Sequence, residues 1–175
     1  MHTVTTSRLV LRMFREQDLD DYADMCADEE VMRFIGAGGA VGPEVAWRQM
    51  ALFLGEWQLH GYGMWAVEDR ASGKLIGRAG FLNPYGWPAC EVGWLLARHA
   101  WGRGLAFEAT QSAIAYGRER LSVEALISLI RPDNTRSIAL AARLGARLDG
   151  QLDFMGSITL QYRHPLPAAL HSSRL

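Results

Sequence analysis

Cys90-Glu91-Val92-Gly93-Trp94-Leu95-Leu96 is followed closely by Trp101-Gly102-Arg103-Gly104-Leu105-Ala106, and the two runs differ sharply in character. The first run is short and largely apolar, which reads as a strong strand. The second is a glycine-rich turn, and the residues after it to about Arg120 read as a helix. The first N–H groups of a helix have no intrahelical partner and sit at the positive end of its dipole. Glycine lets backbone approach a ligand with no Cβ between them. Strand, turn and helix together therefore make an anion site suited to phosphate. The same six residues would also serve as a tight turn in which glycine supplies only its backbone angles.

Upstream, Arg8-Leu9-Val10-Leu11-Arg12 reads as a first strand, and Asp18 to Met32 as an acidic helix. Gly36 to Gly42 is a glycine-rich loop, and Pro43 opens a second helix. Its apolar residues Ala46, Trp47, Met50, Phe53, Leu54 and Trp57 recur at helical spacing. Tyr62 to Glu68 and Leu75 to Leu82, joined through Ala71-Ser72-Gly73, read as a hairpin. Downstream, Leu126 to Ile130 is a short buried strand. Thr135 to Leu144 is a helix capped by Asp133 or Asn134 and stopped by Gly145. Arg147 to Phe154 and Ser157 to Tyr162 form a closing hairpin. The expected class is α/β (α+β): a mixed, mostly antiparallel sheet of about six to seven strands flanked by about four helices. With no repeat and no linker, residues 1–175 are expected to form a single domain, core about 5–163 and tail 164–175.

At 175 residues, 49% hydrophobic and 21% charged, the chain suits one folded domain and is too apolar for disorder. No apolar stretch approaches the ~20 residues that span a bilayer. The polar N-terminus, Met1 to Thr6, is unlike a signal peptide. Cys26 and Cys90 form no disulfide or metal pattern, and His60, His99 and His164 lack ligand spacing. A cytoplasmic protein with reduced thiols and no metal is the expectation. The net charge of −1 conceals an asymmetry: residues 1–97 are acidic on balance and residues 98–147 basic. That division suits an anionic cofactor on one side and a cationic substrate on the other, though chance clustering on solvated faces would look the same. No basic run with interleaved aromatics suggests nucleic acid.

Two other phosphate-binding readings fail. A Walker loop needs Lys-Ser/Thr after the glycines, where Leu105-Ala106 stands. A dinucleotide fingerprint needs a small residue where Phe107 stands; Glu124 lies at a suitable distance for a ribose, but too little chain follows for that fold. The turn resembles the cofactor motif of the GCN5-related N-acetyltransferases, Gln/Arg-x-x-Gly-x-Gly/Ala, with Gly104 and Ala106 matching and Trp101 replacing the first position. The replacement resembles the branch that acetylates ribosomal-protein N-termini. Thr6-Ser7-Arg8-Leu9-Val10-Leu11-Arg12, Gly73-Lys74-Leu75-Ile76-Gly77, Glu91-Val92-Gly93-Trp94 and Asn134-x-x-Ser137 with Leu144-Gly145 also resemble that branch, in the same order.

The resemblance implies acetyl-CoA as donor and an amine acceptor, either a protein N-terminus or a small cationic amine. It places Leu95, Leu96, Trp101, Gly102, Arg103, Gly104, Leu105, Ala106, Phe107, Asn134 and Ser137 on the cofactor. The N–H groups from Arg103 to Phe107 would face the pyrophosphate, and the Arg103 guanidinium would add a contact unless it is merely solvated. Amines are mostly protonated near neutrality, so a base is needed, and Glu91 on the strand entering the site is the candidate, acting through water. A carboxylate paired with a neighbouring arginine is the other reading of Glu91. Leu96 would offer an unpaired N–H to the thioester oxygen. Where many relatives carry a tyrosine acid, Ala141 stands, which leaves Ser137 as candidate acid or as plain helix-start serine. Cys90 invites a covalent scheme, but adjacent strand residues face opposite sides, so core packing is expected. Phe34, Tyr85 and Trp87 are candidates for the acceptor pocket, and the last two equally for anchoring their loop. The missing tyrosine keeps open a coenzyme A-binding protein without chemistry. The oligomeric state is expected to be monomer or homodimer.

Overall fold

The computed structural model describes residues 2–118, 120–121 and 123–165. In chain order the elements are β1 (Val4–Thr5), β2 (Leu9–Arg12), α1 (Leu19–Cys26), α2 (Glu29–Met32), α3 (Pro43–His60), β3 (Met64–Asp69), β4 (Leu75–Leu82), β5 (Cys90–Leu96), α4 (Leu105–Arg118), β6 (Leu126–Ile130), α5 (Thr135–Arg143), β7 (Arg147–Phe154) and β8 (Ser157–Arg163). The strands form one sheet of eight, ordered β1-β2-β3-β4-β5-β6-β8-β7. Every pairing is antiparallel except β5 with β6.

The mixed, mostly antiparallel architecture is as expected, with two differences. The eighth strand is β1, two residues paired to β2 through Val4–Leu11 and Thr5–Val10, too short to leave a periodic signal. The helix expected over Asp18 to Met32 is two helices, so the described residues hold five helices and not four. The break comes at Asp28, whose extended backbone and carboxylate cap α2 by accepting from the Glu30 N–H at 3.0 Å. Arg98 clamps the same carboxylate at 2.6 Å.

The sheet buries both faces. On one, α4 packs Leu105, Ala109 and Ala113 against Val67, Val92 and Leu96. On the other, α1 to α3 pack Tyr22, Met25, Met50 and Phe53 against Met64, Ala66 and Leu95. Buried among these elements, Arg12 grips Asp18 with two bonds of 2.7 and 2.8 Å and Glu68 with one of 2.6 Å. That bidentate geometry is the physical use of the arginine closing the first strand motif. The 164–175 tail begins later than expected: His164 is buried, and its N–H bonds Leu126. Residues 166–175 lie outside the described residues.

Candidate active site

Strands β5 and β6 pair only at Cys90–Leu126 and Glu91–Ile127. Beyond those two rungs no pairing joins them, and the sheet splits. Ser128 holds the closed end: its hydroxyl donates to the Val92 carbonyl at 2.7 Å and accepts from His164 Nε2 at 2.9 Å. At the open end the Ala97 N–H donates to Ile76, so by antiparallel alternation the peptide groups of Leu96 face away from β4, into the split. The Leu96 carbonyl accepts from the Trp101 indole at 2.8 Å, and its N–H shares that side. Trp101 thus braces the divergent strand, a task that its place in a turn motif did not disclose.

A cleft of about 830 Å³ opens at the split. Its walls are Trp94, Leu95 and Leu96 of β5, the glycine turn with the start of α4, and one side of α5. Gly102 and Gly104 hold φ of 72° and 73°, a left-handed conformation that side chains resist. A Cβ on Gly102 would meet nothing within 4 Å, so that backbone faces open space. From behind, Arg8 Nη1 donates to the Arg103 carbonyl at 2.8 Å, while Nε and Nη2 reach Glu108 at 2.7 and 2.6 Å. Glu108 also accepts from the Thr6 and Ser7 hydroxyls, at 2.6 and 3.1 Å. The opening strand motif therefore holds the turn carbonyl away from the cleft, which leaves N–H groups as the polar lining at the helix start. The Arg8–Glu108 pairing spans 100 residues, so no local pattern around Arg8 announces it.

The expected residues divide into groups. Trp101, Gly102, Gly104, Leu105, Ala106, Phe107, Asn134, Ser137, Leu95, Leu96 and Phe34 all line the cleft. Leu105 is buried, so only its backbone is available there, and Arg103 stands exposed in the turn. Asn134, not Asp133, caps α5, accepting from the Ser137 N–H at 3.2 Å. The Ser137 hydroxyl takes a bond of 3.3 Å from the Trp94 indole, which leaves its proton free to point elsewhere. Ala141 is fully buried under β6, away from the cleft. Tyr85 is fully exposed and does not join the site.

Glu91 sits at the closed end of the split, on the sheet face of α1 to α3. One oxygen, Oε2, accepts from the Trp87 indole at 2.7 Å. The other leans along the strand: a Cβ added at Gly93 would lie 3.7 Å from Oε1. The Met64 methyl would lie closer still, at 3.0 Å, so glycine at 93 leaves room for that side chain beside the carboxylate. Burial pushes the carboxyl up from its ordinary range, against the Trp87 bond, the Arg78 charge and the Leu129 N–H, which hold it down. Trp87 does not line the cleft; it meets the Phe154 ring edge-on at 4.9 Å and fixes the carboxylate. Cys90 faces the opposite side, in the core against α4, with its thiol pushed up to about 12 by burial. It stays protonated near neutrality, so a covalent route through it has no support.

The arrangement can do three things. It offers N–H groups at the α4 start and a backbone N–H in a widened strand gap, and it buries a carboxylate, Glu91, on the far face of the strand and outside the cleft lining. Three arginines border the cleft, Arg33 beside Phe34 and Arg136 and Arg143 on α5, while Arg103 stands outside its lining. The acetyltransferase (GNAT) domain family matches residues 8–147. The [ribosomal protein uS5]-alanine N-acetyltransferase of Escherichia coli is 28% identical over 95% of this chain and 89% of its own. A crystal structure of an acetyltransferase from Agrobacterium tumefaciens superposes with TM-score 0.84 at 30% identity, covering 94% of this chain and 95% of that one. The ribosomal L7/L12 alpha-N-protein acetyltransferase RimL, solved with coenzyme A, has the same fold: TM-score 0.77, 17% identity, 94% of this chain and 98% of that one. With its split sheet, its glycine turn and a family match over four-fifths of its length, this N-acetyltransferase belongs to the GNAT family.

Proposed function

We propose that this enzyme transfers acetyl from acetyl-CoA to the α-amine of a protein N-terminus, by direct attack within a ternary complex. The observation that carries the reading is the split itself: a Leu96 N–H turned into a gap beside a turn built for phosphate. The pyrophosphate lies against the N–H groups from Arg103 to Phe107, with the pantetheine arm running past Asn134 and along β5. The thioester oxygen meets the Leu96 N–H, a donor of a kind worth about 2.7–4 kcal/mol where measured. Glu91, through water along the Gly93 side, removes the amine proton. Ser137, its oxygen fixed by Trp94, returns a proton to the leaving thiolate.

A protein acceptor rests on the uS5-alanine acetyltransferase relative; a small cationic amine is the other acceptor that the acidic half of the chain would suit. Thiol release measured across peptides with free N-termini, lysine peptides, polyamines and aminoglycosides tests the acceptor. Release with N-terminal peptides alone supports it, and release only with small amines overturns it. In the same assay Glu91→Gln is expected to lose about 10²–10⁴-fold in rate and its acidic pH limb. An unchanged rate and profile would remove Glu91 from the mechanism.

A further inference from the structure

Two arginines, Arg136 and Arg143, project from the α5 wall of the cleft. Arg136 and Arg143 are seven residues apart, hence on one helix face and about 10 Å apart along its axis. Each guanidinium lies on a ring across from it: Arg136 is 4.5 Å from the Trp101 ring centre, and Arg143 is 4.5 Å from that of Phe107. Both line the cleft, both are solvent-exposed, and neither has a carboxylate partner among the described residues. The acids on the cleft wall, Glu30 and Asp133, bond to neither. Exposed helix arginines ordinarily spread into water. Here two turn onto rings that flank the phosphate-binding turn, and that stacking preorganises their planar forks.

The N–H groups at the α4 start suit the two phosphates of the pyrophosphate. Arg136 and Arg143 stand on the opposite wall, stacked on rings and off that helix start. They match a second, more highly charged group, a phosphomonoester with three oxygens open to paired forks. We propose that Arg136 and Arg143 form a separate phosphomonoester subsite, which receives the 3′-phosphate on the ribose of the coenzyme and selects it over the dephosphorylated form. The inference rests on the coenzyme A reading above.

Titration calorimetry with coenzyme A and with dephospho-coenzyme A tests it without waiting for the acceptor. The parent protein is expected to bind coenzyme A about tenfold or more tightly than the dephospho form. In the Arg136→Gln/Arg143→Gln double variant the two ligands should bind alike, because only the phosphorylated one weakens. The Arg136→Lys/Arg143→Lys variant should recover part of the preference, charge without the fork. Equal binding of both ligands to the parent overturns the subsite and leaves the coenzyme reading intact, as does a preference that survives the double Gln variant. Failure of the parent to bind either ligand overturns both.

Discussion

Trp87→Phe isolates a single hydrogen bond in the proposed base. The indole donates to Glu91 Oε2 at 2.7 Å, and the same ring meets Phe154 edge-on at 4.9 Å. Phenylalanine keeps the ring contact and loses the donor. A hydrogen bond to a charged group contributes about 1.5–3 kcal/mol, and one pH unit corresponds to about 1.4 kcal/mol. Arg78 and the Leu129 N–H remain to favour the ionised form, so the shift should fall at the low end of that range. The sign is fixed: losing a donor to the carboxylate favours its protonated form, and the base works only when deprotonated. The acidic limb of the kcat/KM profile is therefore expected to move upward by about one pH unit, with the alkaline plateau little changed. Phe154→Leu removes the ring and keeps the donor, so its limb should stay in place. An unmoved limb in Trp87→Phe, or equal displacement in both variants, would show that the Trp87 bond does not set the limb.

Arg12→Ala leaves the buried Asp18 carboxylate without its two bonds, and should cost about 3–5 kcal/mol in denaturant unfolding; a loss below 1 kcal/mol would contradict the packing. Burial lowers His164 to about 4 from its ordinary value near 6.5. The unfolded chain then protonates first, so stability should fall as pH drops through that window, by up to about 1.4 kcal/mol per unit. His164→Gln keeps a donor for Ser128 and should flatten that part of the profile in thermal melts; an equally steep profile would clear His164 of it. Ser137→Ala should slow turnover by about tenfold or more without raising the KM for acetyl-CoA, and a KM effect alone would make Ser137 a cofactor contact instead of the acid.

The parts of the fold that were legible in the sequence are those written in local pattern. The glycine turn announced itself because Gly102 and Gly104 sit in left-handed backbone. The alternation of Cys90 and Glu91 put thiol and carboxylate on opposite faces, as found. What was hidden depends on contacts between distant residues or on which way one side chain turns. Nothing in Tyr85 and Trp87 told which ring would point inward; the structure sends Tyr85 to solvent and Trp87 to Glu91. Asn134 and Asp133 were equal as caps until the helix start was set. The Trp101 bond to Leu96, the Arg8 clamp on Arg103 and the Ser128 bridge to Val92 join residues on separate elements, and no periodicity records them. Two of these three hold the strand split in shape, so the geometry of the site was the less legible part. His164 was assigned to a tail because a lone histidine after a polar strand gives no burial signal, yet it closes the core beside β6.

Mass spectrometry of an N-terminally free peptide, incubated with the enzyme and acetyl-CoA, tests the central claim most directly. Transfer requires one acetyl group on the α-amine and an equal quantity of free coenzyme A, with both slowed together in Glu91→Gln. Tight coenzyme binding with no acetylated amine, on peptides or small amines alike, would contradict it.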